Sequence, residues 1–212
     1  MFDQGASPII GHKEITAYAE PVTARPAILL HSCCGPCSTA VVEQLAQRYR
    51  IVLYYCNPNI DDEAEYKKRL EIQRLFVERY NASDRRAEPI VLICAPYTPA
   101  AFLKLVEGNE KSEEGGARCR LCIKDRLEKT ATYAIMHGYE HFTTTLSVSR
   151  HKNYVMILEL GTMLALKYGL SFESGNFKKG GGEQRAIELS KAYGLERQNF
   201  CGCRFSKRSA GI

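Results

Sequence analysis

The sequence predicts an α/β fold, a mostly parallel sheet with helices on both faces. Short apolar runs alternate with longer segments of helical periodicity, and strands separated in this way pair in parallel beneath covering helices. The apolar content of 45% over 212 residues is also enough for one sizeable core. The class is Rossmann-like in the broad sense.

Each element follows in order. Residues 1–25 show no sustained periodicity and are expected to form an N-terminal extension ahead of a single α/β catalytic domain, residues 26–212. Pro26 introduces "AILLH", a strand, and "STAVVEQLAQRYR" continues as a helix. "IVLYYCN" is the second strand and "DEAEYKKRLEIQRLFVERY" a long helix, with Tyr66, Leu70, Gln73 and Val77 along one face, joined by Ile72 and Phe76. Acids at its start and bases near its end suit the helix dipole. "PIVLIC", "HFTTT" and "LSF" complete the strands. Helices are predicted over "TPAAFLKLV", "RCRLCIKDRLEKTATYAIMHG", "NYVMILELGTMLALKYG" and "EQRAIELSKAYG".

No apolar run approaches the roughly 20 residues that span a bilayer, and the first residues lack the order of a signal peptide. A soluble, cytoplasmic protein is expected, with no membrane partner. In that setting nine cysteines point away from a disulfide framework and toward metal or redox chemistry. Seven fall in three groups: Cys33, Cys34 and Cys37; Cys119 and Cys122; Cys201 and Cys203. Cys56 and Cys94 lie inside apolar runs and are expected to be small buried hydrophobes.

The net charge of +5 equals the excess carried by Lys178 to Ile212 alone, where eight basic residues face three acidic ones. A basic C-terminal segment beside a cysteine pair fits a polyanionic partner through phosphate contacts, although charge alone fits a solvated surface equally.

"HSCCGPCS" falls where the first strand feeds a helix, the position at which open α/β sheets bind ligands. Gly35 and Pro36 allow a tight turn, and Ser38 is expected to help cap the helix. Thiols there meet free amides and the positive dipole end, which favour the thiolate. Two thiolates from residues 33–37 and two from "RCRLC" can close a four-coordinate site, and spacing alone fits zinc or an iron–sulfur cluster. Location and the adjacent "CC" favour the cluster, because these ligands would join two helix starts of a well-cored sheet. "CGC" can close a strained, reducible disulfide or act as a second metal pair.

Other polar residues carry weaker signals. His31 adjoins the motif and suits a hydrogen-bonded neighbour better than a ligand; His12, His137, His141 and His151 have no ligand spacing. Asn57, Pro58, Asn59 and Asp61 sit at another strand end, and face the crevice or simply build a turn.

Taken in order, "LLHSCCGPCS", "CNPNID", "RCRLCIKDRLEKTA", "FTTTL" and "RQNFCGCRFS" resemble the cobalamin-independent epoxyqueuosine reductases of the QueH type, from about Ala27 to Arg208. The resemblance implies a HUP-like sheet and reduction of epoxyqueuosine to queuosine at the wobble position of tRNA. It further implies a 4Fe-4S cluster on Cys33, Cys34, Cys119 and Cys122, with Cys201 and Cys203 as the redox-active disulfide pair. Cys37 matches the motif as a possible ligand of a second mononuclear metal, iron or zinc, as an electron gate or as packing. The implied partners are tRNA carrying epoxyqueuosine and an electron donor that the sequence does not identify. Gly35 stands where the family pattern has alanine, an exchange expected to be harmless in a turn, and "LSVSRHKN" replaces a stretch containing Ser-Pro. Two rivals are an iron–sulfur tRNA sulfur-transfer enzyme, which would normally carry a glycine-rich phosphate loop where the thiols stand, and a zinc-stabilised RNA-binding module.

Overall fold

The computed structural model describes residues 25–83 and 88–206, so the expected extension and the basic residues Lys207 and Arg208 lie outside the described residues. Five strands form one sheet in the order β3-β2-β1-β4-β5: β1 (Ala27–Ser32), β2 (Arg50–Tyr55), β3 (Val91–Cys94), β4 (His141–Thr144) and β5 (Ser171–Phe172). Every pairing is parallel, with Leu29 opposite Val52 on one side and Phe142 on the other. A parallel sheet needs both faces covered, and β1 shows the consequence in its apolar run. Ile28 and Leu30 pack in one core with α1 (Gly35–Leu45), α2 (Glu63–Asn81) and α6 (Gly182–Ala192). Leu29 points the opposite way, into a core with α4 (Ala117–Met136) and α5 (Tyr154–Tyr168). The short α3 (Pro99–Leu105) packs beside α4 through Phe102. Each of these fully buried aliphatic side chains stabilises the fold by about 1.5–3 kcal/mol relative to exposure.

The helix starts follow local chemistry. Asp62 caps α2, its Oδ1 accepting from the amides of Ala64 at 3.0 Å and Glu65 at 3.2 Å. Asn153 caps α5 through the Met156 amide at 3.1 Å, and Gly169 ends that helix at φ 66°.

Three expectations are corrected by packing. The first helix begins at Gly35, not Ser38, and stops at Leu45, because Arg50 already pairs in β2. Ser38 therefore caps nothing; it lies in the first turn, with its hydroxyl 2.8 Å from that of Ser32 and 3.1 Å from Gln73 Oε1. The buried face of α2 runs through Tyr66, Arg69, Ile72, Gln73, Phe76 and Tyr80, so Leu70 and Val77 lie at its margin and a charged residue lies at its centre. Cys56 is buried as expected, but Cys94 is exposed, because β3 is an edge strand paired only with β2.

Candidate active site and metal centre

The chain passes from β1 to β2 on one side and places β4 on the other, so the strand order reverses between β1 and β4. Beyond the carboxyl ends of two such strands a crevice opens. Cys33 follows β1 and Thr145 follows β4. The Cys33 amide donates to Thr145 Oγ1 at 3.2 Å, and that hydroxyl lies 3.3 Å from Cys33 Sγ, oriented to donate to a thiolate.

The sulfur atoms of Cys33, Cys34 and Cys37 all lie within 4.8 Å of one another. Cys34 is the N-cap residue of α1 and Cys37 falls in its first turn, as the motif's position predicts. Hydrogen bonds from Cys34, Cys37 and Thr145 hold the Cys33 thiol well below its ordinary range, while that same charge and burial push Cys34 and Cys37 up. The three sulfurs thus share a negative charge centred on Cys33.

Cys119 and Cys122 stand outside this tight group, on α4. Cys119 is in the first turn and accepts the Gly115 amide at 3.2 Å. Cys122 is buried one turn later, and burial pushes its thiol up. Arg126 follows at the same helical face, 4% exposed.

Cys201 and Cys203 bring their sulfurs to 3.6 Å. Their turn rests on the loop after β2, which explains "CNPNID". Asn59 Nδ2 donates to the Cys201 carbonyl at 3.2 Å, and Asp61 accepts the Arg204 amide at 2.9 Å. Arg69, paired with Glu65 at 2.6 Å, donates to the Phe200 carbonyl at 3.2 Å and lies over the Phe200 ring at 4.8 Å. Gly202 has φ +101°, and a Cβ there would come within 2.7 Å of Ile60. The Cys203 thiol, the nearby Lys152 ammonium and the Ser206 hydroxyl hold Cys201 well below the ordinary thiol range, whereas Cys203 is pushed up by the Cys201 charge and by burial.

A cavity of about 400 Å³ is lined among others by Cys33, Cys34, Cys37, Arg126, Lys152 and Cys201, whereas Cys119, Cys122 and Cys203 are not part of its lining. Its donors are soft sulfur ligands in a lining that also holds Arg69, Arg126, Arg150, Lys152 and Arg197, a set that suits iron–sulfur or zinc chemistry better than a hard oxygen-bound ion. A model of the family described as Epoxyqueuosine reductase QueH matches residues 28–209. The chain belongs to the epoxyqueuosine reductase QueH family. It is 39% identical to the Staphylococcus aureus protein of that name over 94% of this chain and 83% of the relative. The QueH of Staphylococcus epidermidis is 40% identical over 89% of this chain and 79% of its own length. The Thermotoga maritima QueH is 35% identical over 84% of this chain and 89% of its own length.

Within this QueH-family site, His31 serves the scaffold. It is fully buried, and Nε2 must donate to the Cys56 carbonyl at 3.1 Å because a carbonyl only accepts; Nδ1 then accepts from Thr144 Oγ1 at 2.8 Å. Burial and the Arg126 charge lower its pKa to about 3, so it is neutral at physiological pH. Arg126, Arg69, Lys152 and Thr145 are the residues that sequence reading missed. For Arg126 a signal exists: it stands four residues after Cys122, on the thiol face of a predicted helix. No helix among the described residues is long and apolar enough to cross a membrane.

Proposed function

We propose that the chain reduces epoxyqueuosine in tRNA to queuosine, with Cys33, Cys34, Cys119 and Cys122 holding a 4Fe-4S cluster and Cys201 and Cys203 acting as the redox pair. The observation that carries the reading is that thiols from two distant parts of the chain, Cys33, Cys34 and Cys37 after β1 and Cys201 near the C-terminus, line one cavity at the strand switch point, while Cys122 of α4 packs in one cluster with Cys201 and Cys203. When bound, the cluster supplies one-electron transfer.

This chain's own residues supply the rest. Conversion of an epoxide to an alkene releases its oxygen as water and consumes two electrons and two protons. A dithiol that closes to a disulfide provides both. Cys201 lines the cavity and Cys203 is buried in one cluster with Cys122, a placement that suits a relay between a substrate in the cavity and a ligand of the metal centre. The hydrogen bond from the Cys203 thiol, helped by the Lys152 ammonium, keeps the Cys201 sulfur the more acidic of the two. Cys37 lies close enough to Cys33 and Cys34 to bind a second mononuclear metal or to share in the first.

The tRNA anticodon loop presents its wobble base unpaired, so no duplex need open. Arg150 and Arg197 line the cavity and are exposed, which suits contact with a phosphate backbone. The test is mass analysis of nucleosides from epoxyqueuosine-containing tRNA after anaerobic incubation with reductant. Loss of one oxygen supports the reading, and an unchanged mass rejects it.

A further inference from the structure

Arg126 is a cation enclosed among thiols. It is 4% exposed and lines the same cavity as Cys33, Cys34, Cys37 and Cys201. Its hydrogen bonds are long and go to neutral oxygens: Nε to the Cys122 carbonyl at 3.4 Å and Nη1 to Asn57 Oδ1 at 3.5 Å. No carboxylate pairs with it among the described residues; the groups whose charge acts on it are Cys122, Cys33, Cys201 and Cys56. A buried guanidinium costs several kcal/mol unless an anion compensates it. Its counter-charge must therefore come from the thiolate centre.

The position is held by more than charge. Arg126 leaves α4 one turn after Cys122, and Asn57, which meets its far end, is itself anchored through Nδ2 to the Ser32 carbonyl at 2.9 Å. Ser32 ends β1, immediately before Cys33. The guanidinium is thus spanned between the two segments that carry the proposed ligands.

We infer that Arg126 is the resident counter-cation of the metal centre and sets its reduction potential. The inference rests on the metal-centre reading above. A reduced cluster carries one more negative charge than an oxidised one, so a fixed cation beside it favours the reduced form and raises the potential. Loss of that cation must move the potential down.

The experiment compares anaerobically reconstituted full-length wild type, Arg126→Lys and Arg126→Met by redox titration, followed by electron paramagnetic resonance. The Met variant is expected to favour the oxidised centre at least tenfold more, a shift of about 59 mV to lower potential for one electron. The Lys variant, which keeps the charge, is expected to recover at least half of that shift. A centre that assembles with Lys but not with Met also supports the inference. An unshifted potential in the Met variant overturns it, as does loss of the centre in both variants, which would assign the residue to shape and not charge. A wild-type protein that assembles no redox-active centre overturns the underlying reading itself, and this inference with it.

Discussion

The side-chain amide of Asn59 donates to the backbone carbonyl of Cys201 at 3.2 Å, so the loop after β2 holds the Cys-Gly-Cys turn directly. Around that bond Asp61 and Arg69 grip the residues on either side of the cysteine pair, through Arg204 and Phe200. The cysteine pair is therefore seated by one loop and one helix face that the sequence places some distance away.

Gly202 is the point at which this seat is least tolerant. Gly202→Ala adds a Cβ at φ +101° that would lie 2.7 Å from Ile60 and 3.2 Å from the Arg69 guanidinium. The left-handed backbone alone costs an ordinary residue roughly 1–3 kcal/mol. The variant is expected to keep its iron and lose most turnover, measured as metal content beside nucleoside mass analysis. Full turnover would show that the turn has no need of glycine.

Gly35 carries a second steric prediction. Although alanine there looks harmless from the sequence, a Cβ would lie 2.7 Å from the Ile72 carbonyl oxygen of α2. A backbone atom cannot swing aside, so α1 and α2 must separate, at a cost of about 1–3 kcal/mol. Denaturant unfolding of Gly35→Ala is expected to show that loss. An unchanged midpoint would mean that the two helices move apart freely.

The basic segment divides into paired and available charges. Arg185 is held by Glu43 through two 2.8 Å bonds, whereas Arg197 is exposed at the rim of the thiol cavity. Arg197→Ala is expected to raise KM for tRNA, leave kcat near wild type and lower the log–log salt slope by about 1. Arg185→Ala is expected to change neither. Equal effects from both variants would argue for diffuse attraction rather than a defined docking rim.

Sequence periodicity exposed the five strands and the covering helices because parallel strands buried on both faces read as unbroken apolar runs, as in "AILLH". The cysteine groups were equally legible, since thiols in clusters have few structural uses. Arg126 and Arg69 were not, because an arginine on a helix is ordinarily solvent-facing and only tertiary packing drives these two inward. Cys94 misled for the converse reason: the run "IVLIC" reads as a core strand, while its place at the sheet edge is a property of topology. Asn59 and Asp61 kept two readings until the Cys201 turn was seen resting on them.

The central claim is a division of labour, in which one set of thiols holds the metal centre and Cys201 with Cys203 passes electrons. Its most direct test is iron and sulfide content measured beside oxygen loss from epoxyqueuosine-containing tRNA, for Cys119→Ser, Cys201→Ser and Cys203→Ser. The account predicts that Cys119→Ser loses the centre, while the other two variants keep it and stop turnover. Loss of the centre in all three, or sustained turnover by Cys203→Ser, would contradict it.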